Sequence, residues 1–323
     1  MQKGTLFIAS PFTSYYPQTS PPLANLDRGG IMLNATKRGG NDMNNSTSKQ
    51  AQESPLTLKV IHGGTNGFDA PSVLVMGEKD AVLIDVPFIL SQAHRIVAEV
   101  LESNRNFKYI FITHSHPDHH FSAPVFIQAF PNVEVIAVPQ ICYSVARSIP
   151  ERHADISRKY GSNIPRYCVV PKTYEGSSID LEGKKLEILG PMIGDHPEIT
   201  AIHIPSLDAI IASDIVFNGI HLFMGHHVTR EARKGWLDSI EYLMSLKPKI
   251  VVAGHKLAHL PDSPESLQYC HEYLIAFEEI LSQVNSSTEL IAAVQKRFPE
   301  IQDMMDGFVL PRSARLADLP PKN

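Results

Sequence analysis

Four histidines and one aspartate fall within the seven residues His114-Ser115-His116-Pro117-Asp118-His119-His120, in a chain of 323 residues that holds 15 histidines in all. An even spread would put about 0.3 histidines in such a window, so the cluster asks for a chemical reason. Neutral imidazole and carboxylate are the usual ligands of Zn²⁺, Fe²⁺ and Mn²⁺. Two histidines one residue apart converge on one ion only where the backbone is extended or turning. The apolar run Tyr109-Ile110-Phe111-Ile112-Thr113 just before His114 supplies that place, the end of a buried strand. Pro117 stiffens the turn and biases His116 away from helical backbone, which leaves Asp118 and His119 free to address the same hollow. A solvated histidine-rich loop, or an adventitious nickel-binding tract, would need neither the strand nor an aspartate at this spacing.

The pattern His114-x-His116-x-Asp118-His119 behind a buried strand resembles the hallmark of the metallo-β-lactamase superfamily. That resemblance implies further ligands in the order His, Asp, His. Candidates stand at His196, after the strand Lys185 to Leu189 and the turn Gly190-Pro191, at Asp214, closing Ala209 to Ser213, and at His255, closing Ile250 to Gly254. By the same resemblance the fold is α/β (α+β), an αββα sandwich over about residues 56 to 310 with the metals at one open edge. One metal would take His114, His116 and His196, and the other Asp118, His119 and His255, with Asp214 bridging. The implied cofactor is Zn²⁺, two per chain, with iron or manganese as alternatives. Two such cations hold and deprotonate a bridging water and polarise a carbonyl oxygen, and Asp118 would orient the hydroxide and pass a proton to the leaving group.

The chain also departs from the pattern. The motif continues His120-Phe121-Ser122-Ala123-Pro124 where a Gly-Gly is common, and Ser122 is expected to cap a helix over Pro124 to Phe130. Asp195-His196-Pro197-Glu198 replaces His-Thr-Pro-Gly, and Ala212-Ser213-Asp214 replaces a Gly-Asp ending. The loop from Asn218 to His227 borders the pocket in the superfamily. There His221 is the catalytic candidate, as a hydrogen-bond donor to substrate or oxyanion, set against a supporting or surface role. His226, His227 and His259 read as loop surface, and His203 as a core histidine within a strand. The resemblance also implies a hairpin beside the metals at Gly63 to Phe68, with Phe68 over an apolar substrate, set against a plain hairpin loop, and a buried Asp85 that supports the metal loop by hydrogen bonds.

Elements capable of positioning these residues begin near residue 56, where short Val- and Ile-rich runs alternate with helical stretches. Strands are expected at Leu56 to Ile61, Ser72 to Met76, Ala81 to Ile84, Tyr109 to Thr113, Val133 to Val138, Lys185 to Leu189, Ile199 to Ile204, Ala209 to Ser213 and Ile250 to Ala253. Helices are expected from a Ser91 cap to about Ser103, from a Thr229 cap through Leu243, and from Ser263 or Ser266 through Leu281. Residues 1 to 55, rich in Ser, Thr, Asn, Pro and Gly and without either period, read as a disordered tail. Residues 56 to 323 then form one hydrolase domain.

A formal charge of -5 without a dense basic run argues against a nucleic-acid partner, and no apolar stretch approaches the roughly 20 residues that span a bilayer. Cys142, Cys168 and Cys270 are odd in number and never in a CxxC arrangement, which fits a reducing, cytoplasmic setting. A small-molecule substrate is therefore expected, and a homo-oligomer is left open. The implied activity is hydrolysis of an ester, lactone, amide, lactam or thioester, as in a lactonase, lactamase or esterase. Two other readings stand beside it. One is a mononuclear iron dioxygenase of the sulfur-oxidising branch, using only His114, His196 and Asp214. The other is a non-catalytic binding protein on the same fold.

Overall fold

The computed structural model describes residues 55–304 and 307–317. The tail expected over residues 1–55 lies, but for Pro55, outside them. Six strands make a first sheet in the order β1 (Thr57–Ile61), β2 (Ser72–Met76), β3 (Asp80–Ile84), β4 (Asn106–Phe111), β5 (Glu134–Ala137) and β6 (Lys172–Thr173). The first three form an antiparallel meander, and β3 to β6 run parallel. Parallel neighbours need a crossover, and α1 (Leu90–Glu102), α2 (Ala123–Ala129) and α3 (Pro139–Tyr160) lie in those connections.

A second sheet runs β11-β10-β9-β8-β7, built from β7 (Ser178–Leu181), β8 (Lys184–Met192), β9 (Ile199–Ile204), β10 (Ala209–Asn218) and β11 (Ile250–Lys256). Only the β10–β11 pair is parallel, and α4 (Arg230–Ser245) makes its crossover. The helices α5 (Glu265–Leu281), α6 (Ser287–Arg297) and α7 (Val309–Leu316) follow.

Alternation along the second sheet explains the layers. Ile202, Ile204, Ala209, Ile211 and Val252 pack into one core with the Val and Leu residues of β2 and β3 and with α1 to α3. Their neighbours Ala201, Ile210, Ala212, Val251 and Ala253 face the other way, onto Trp236, Ile240, Tyr273 and Phe277 of α4 and α5. Successive strand residues point to opposite faces, so both faces of each sheet are covered and the layers stack as helix, sheet, sheet, helix. This is the expected αββα sandwich.

All nine expected strands are present, with two instructive differences. β10 and β11 continue past the residues where they were expected to stop, to Asn218 and Lys256, and so carry Asp214 and His255 within them. β6 and β7 leave no clear pattern because they hold only two and four residues, four of these six being exposed or partly so. Helix α3 escaped too, since Pro150 interrupts its pattern and only Ile141, Cys142 and Val145 are buried. Thr229 caps α4 as expected, its side chain accepting from the Ala232 N–H at 3.3 Å. Ser91 does not cap α1, whose cap position is Ile89, two residues earlier, and the Ser122 hydroxyl donates to the Pro87 carbonyl instead of capping α2. The third helix begins behind Pro264, between the two serines proposed for its cap. Among the described residues no helix is long and apolar enough to cross a membrane.

Candidate metal centre

The histidine cluster leaves β4 at the edge where the two sheets meet. Ile112 still donates its N–H to the Ile136 carbonyl, so the chain stays extended beyond the strand, and His116 keeps extended backbone angles. The chain then bends at His114 and Ser115, which turns the His114 and His116 rings to one side, their centroids 4.8 Å apart. Pro117–His119 then closes a single 3-10 turn, with the His119 N–H on the His116 carbonyl at 3.1 Å, and returns Asp118 and His119 to that side.

Thr113 ties this loop to its surroundings. Its N–H and hydroxyl donate to the two carboxylate oxygens of Asp85 at 2.8 and 2.6 Å. Its carbonyl accepts from the N–H and hydroxyl of Thr200 in β9 at 3.0 and 2.9 Å. Asp85 also accepts from His119 Nδ1 at 2.8 Å, which puts the proton on Nδ1 and leaves the Nε2 lone pair facing inward. Asp85, His114 and His119 lie close enough to form a ligand group of their own, but Thr113 and His119 already occupy the Asp85 oxygens. Asp85 is therefore the support that the sequence reading placed there.

Asp214 is aimed by a bulge. On β10 the step from Ser213 to Phe217 faces only the step from Ala253 to His255 on β11, and such a surplus re-aims side chains. Ser213 and Asp85 both adopt left-handed backbone, φ +50° and +59°, a conformation uncommon for non-glycine residues and concentrated at functional sites. A Cβ on Gly254 would sit 2.1 Å from Asp214 Oδ1 and 2.3 Å from the Ser213 carbonyl carbon, so the bulge has room only because residue 254 is glycine. Asp214 Oδ2 then lies 3.1 Å from His114 Nε2, 3.5 Å from His116 Nδ1 and 3.2 Å from His255 Nε2, and Oδ1 lies 3.1 Å from His119 Nε2. His255 is oriented as His119 is, with Nδ1 donating to the Phe68 carbonyl at 2.7 Å. Asp118 Oδ2 stands 3.7 Å from His119 Nε2 and 3.6 Å from His255 Nε2.

Two ligand groups result, one of His114, His116, Asp195 and Asp214, the other of Asp118, His119 and His255. Six of the seven residues proposed as ligands are thus brought together around Asp214. His196 is the exception and requires a correction. Its Nε2 meets the Ser115 hydroxyl at 3.3 Å and its Nδ1 lies against the backbone N–H and carbonyl of Glu198, 3.2 and 3.1 Å away. Asp195 takes the place instead, with Oδ2 3.4 Å from His116 Nδ1. The overlooked signal is Pro197: aligning Asp195-His196-Pro197-Glu198 with His-Thr-Pro-Gly on the proline puts Asp195, not His196, at the ligand position.

The electrostatics fit a cation. Burial holds the His114 imidazole well below its usual range and His116 at about 4, so both present lone pairs. Burial and the neighbouring carboxylates of Asp214 and Asp118 push Asp195 well above the carboxylate range. Burial opposes charge on Asp214 as well, but His119, His255 and His114 around it hold it well below. Three buried carboxylates crowd together with no lysine or arginine paired to them among the described residues, so positive charge on His119 and His255, whose affinity for a proton these carboxylates raise, or a bound cation has to offset them. His114 Nε2, His119 Nε2, Asp195 Oδ1 and Asp214 Oδ1 are buried without a hydrogen-bond partner, although the great majority of buried polar atoms have one. Imidazole and carboxylate atoms in this state are what a divalent transition metal takes up.

The centre opens into a cavity of about 380 Å³ that His116, Asp118, Asp195 and His255 line together with Phe68, Tyr160 and Phe308. Phe68 thus forms part of the cavity wall. His221 does not line the cavity. It is 2% exposed, its Nδ1 is 3.0 Å from the Tyr273 hydroxyl and its N–H donates to the Gln302 carbonyl, so it braces the segment after β10 against α5 and its expected part in catalysis is withdrawn. Nearby, His226 has the pocket position instead. Although its body is exposed at the rim, its Nε2 lies 3.2 Å from His116 Nε2. His227 is buried over Trp236 rather than at the surface, and His259 is exposed as expected. Nothing in the spelling Gly225-His226-His227 separates the two histidines, since only the loop path decides which one turns inward.

Comparison with known proteins accords with this geometry. The model of the metallo-beta-lactamase superfamily matches residues 65–255, which include every residue of both ligand groups. None of the curated proteins matches the chain. Among solved structures, a metallo-beta-lactamase family protein from Thermus thermophilus is similar at 18% identity with a TM-score of 0.58, over 81% of this chain and 90% of its own. A beta-lactamase domain protein from Burkholderia ambifaria is similar at 13% identity and TM-score 0.59, over 81% and 84%. At these identities the likeness speaks for the fold. With the family model spanning more than half of the chain, this protein belongs to the metallo-beta-lactamase superfamily.

Proposed function

We propose that the protein is a metal-dependent hydrolase holding two divalent cations and cleaving an ester, lactone, amide, lactam or thioester of a small molecule. The observation that carries this reading is the pair of ligand groups on either side of Asp214, with unbonded buried atoms, at an open cavity. His114, His116 and Asp195 would hold one cation and Asp118, His119 and His255 the other, with Asp214 between them. Metals so held supply Lewis acidity toward an acyl oxygen and a nucleophile from water at neutral pH.

The chain's own residues do the rest. Asp85 and the Phe68 carbonyl hold the His119 and His255 rings in one tautomer. Asp118 lines the cavity and turns Oδ2 toward the Nε2 atoms of both neighbouring imidazoles, so that oxygen would serve the cation while the other oxygen of the carboxylate accepts a proton from water and returns it to a leaving group.

Zinc is the proposed metal, with manganese or iron as competitors favoured by the extra carboxylate of Asp195, since carboxylate suits harder ions. The mononuclear iron reading loses its support because it needs His196, which turns to Ser115 and Glu198. The test is metal analysis of the purified protein together with turnover of lactone, ester, β-lactam, thioester and anilide substrates, Asp118→Ala being the control. Turnover that survives in Asp118→Ala, or a protein without bound metal, would sink the reading.

A further inference from the structure

We infer that the cavity selects substrates carrying a negative charge remote from the scissile bond, on an apolar arm, and that Arg152 is the residue that reads this charge. The inference rests on the hydrolase reading and adds the substrate class. Arg152 lies in α3 and lines both the 380 Å³ cavity and a neighbouring polar cavity of about 260 Å³. It is half-buried, and among the described residues no ion pair or hydrogen bond engages its guanidinium. A guanidinium removed from much of its water and left unpaired gains from a ligand carboxylate, which it can bind in bidentate fashion.

The surroundings carry the same sign. Lys159 and Arg312 also line the 380 Å³ cavity, each above an aromatic ring, Lys159 Nζ 5.2 Å from the Tyr160 centroid and the Arg312 guanidinium 5.6 Å from that of Phe308. Asp155, the one acid lining that cavity outside the metal centre among the described residues, is held by Arg158. The polar cavity is lined by two cations, Arg147 and Arg152, and one acid, Glu151, so its formal charge is positive as well. A chain with a formal charge of -5 thus places three cations around an apolar-walled cavity. Phe68, Tyr160 and Phe308 accommodate an apolar arm but cannot bind an anion. The ligand that satisfies walls and rim together is an amphipathic anion, with its acyl bond at the metals and a carboxylate at Arg152. The His116 and Arg152 walls shared by the two cavities leave room for that group beside the metal site.

The probes are the half ester mono-(4-nitrophenyl) adipate and its neutral counterpart 4-nitrophenyl hexanoate, which share the chain length and leaving group. The wild-type metal-loaded protein is expected to favour the anionic ester in kcat/KM. Arg152→Gln is expected to lower that preference at least tenfold, chiefly through KM, with the metal content retained. Arg152→Lys should keep only part of the preference, since the charge remains while the bidentate fork is lost, and Arg95→Gln, which removes the same charge from the exposed face of α1, should keep all of it. Absence of a preference in the wild type, or an equal preference in Arg152→Gln, overturns the inference. If neither ester is turned over, the hydrolase reading fails separately. Calorimetric binding of adipic acid mono-anilide then decides: tenfold weaker binding to Arg152→Gln upholds the anion site, and equal binding removes it.

Discussion

The backbone N–H of Asp195 donates to the carbonyl of Asp214 at 2.9 Å. This bond draws the loop between β8 and β9 against the bulge of β10, and Gly194 permits the approach, since a Cβ there would fall 2.6 Å from the same carbonyl oxygen. The side chain delivered to the centre is consequently that of Asp195, while His196 turns out toward Ser115. The first ligand group thereby acquires two carboxylates and two imidazoles, a harder set than the three imidazoles expected from the sequence beside Asp214.

Replacing the two adjacent residues therefore separates their roles. Asp195→Ala is expected to lose about one metal equivalent per chain, whereas His196→Ala retains the full complement. Asp195→His should shift competition between zinc and manganese toward zinc, because imidazole suits zinc better. Elemental analysis after dialysis against equimolar metals reads all three outcomes, and metal loss confined to His196→Ala would refute the assignment.

Asp85 acts through His119 and Thr113 rather than on a metal. Loss of such a supporting hydrogen bond typically lowers metal affinity ~10–100-fold, and Asp85→Ala is expected in that range by competition with a chromophoric chelator. Unchanged affinity would place Asp85 among purely structural residues.

Gly254→Ala should be far more damaging than its size suggests. The added methyl would meet Asp214 Oδ1 and the Ser213 backbone at about 2 Å separation, and a backbone atom cannot step aside cheaply. Overpacking of this kind costs typically ~1–3 kcal/mol, read as a lower urea midpoint, and metal content should fall with it.

His221 gives a pH test. Burial pushes its pKa down to about 4 from an ordinary 6.5, so between those values the unfolded chain binds the proton that the folded chain refuses. Stability from keeping it neutral is whole above pH 6.5 and is lost as pH falls toward 4, by of order 3 kcal/mol at most. His221→Phe should flatten the stability profile across that window relative to wild type at equal metal load. A selective change in KM instead would return His221 to the pocket.

Chelation should lower the melting temperature and abolish turnover together, because the ligand groups bind metal only when the chain is folded. A melting temperature indifferent to chelator would show that the imidazoles and carboxylates are stable by themselves.

Local chemistry made much of this legible. His114, His116, Asp118 and His119 occupy one short stretch behind a strand, so spacing alone constrains where they point. The Val- and Ile-rich runs mark strands because period-2 burial leaves its imprint on each run by itself. His196 and His221 went astray for the opposite reason. Each sits in an irregular segment where neighbouring residues of similar chemistry, Asp195 beside the first and His226 near the second, compete for one position, and backbone bonds made to distant strands decide between them.

The sequence by itself determined the metal-binding chemistry, the order of the strands along the chain and the alternation that covers both faces of the sheets. All of these depend on residue type and short-range period. Only the tertiary structure decided that Asp195 completes the first group, that β10 bulges to aim Asp214, and that Arg152 reaches the cavity from α3. Those outcomes depend on contacts between segments tens of residues apart, where hydrogen bonds and close packing across the sandwich select one side chain among several that the local sequence leaves equivalent.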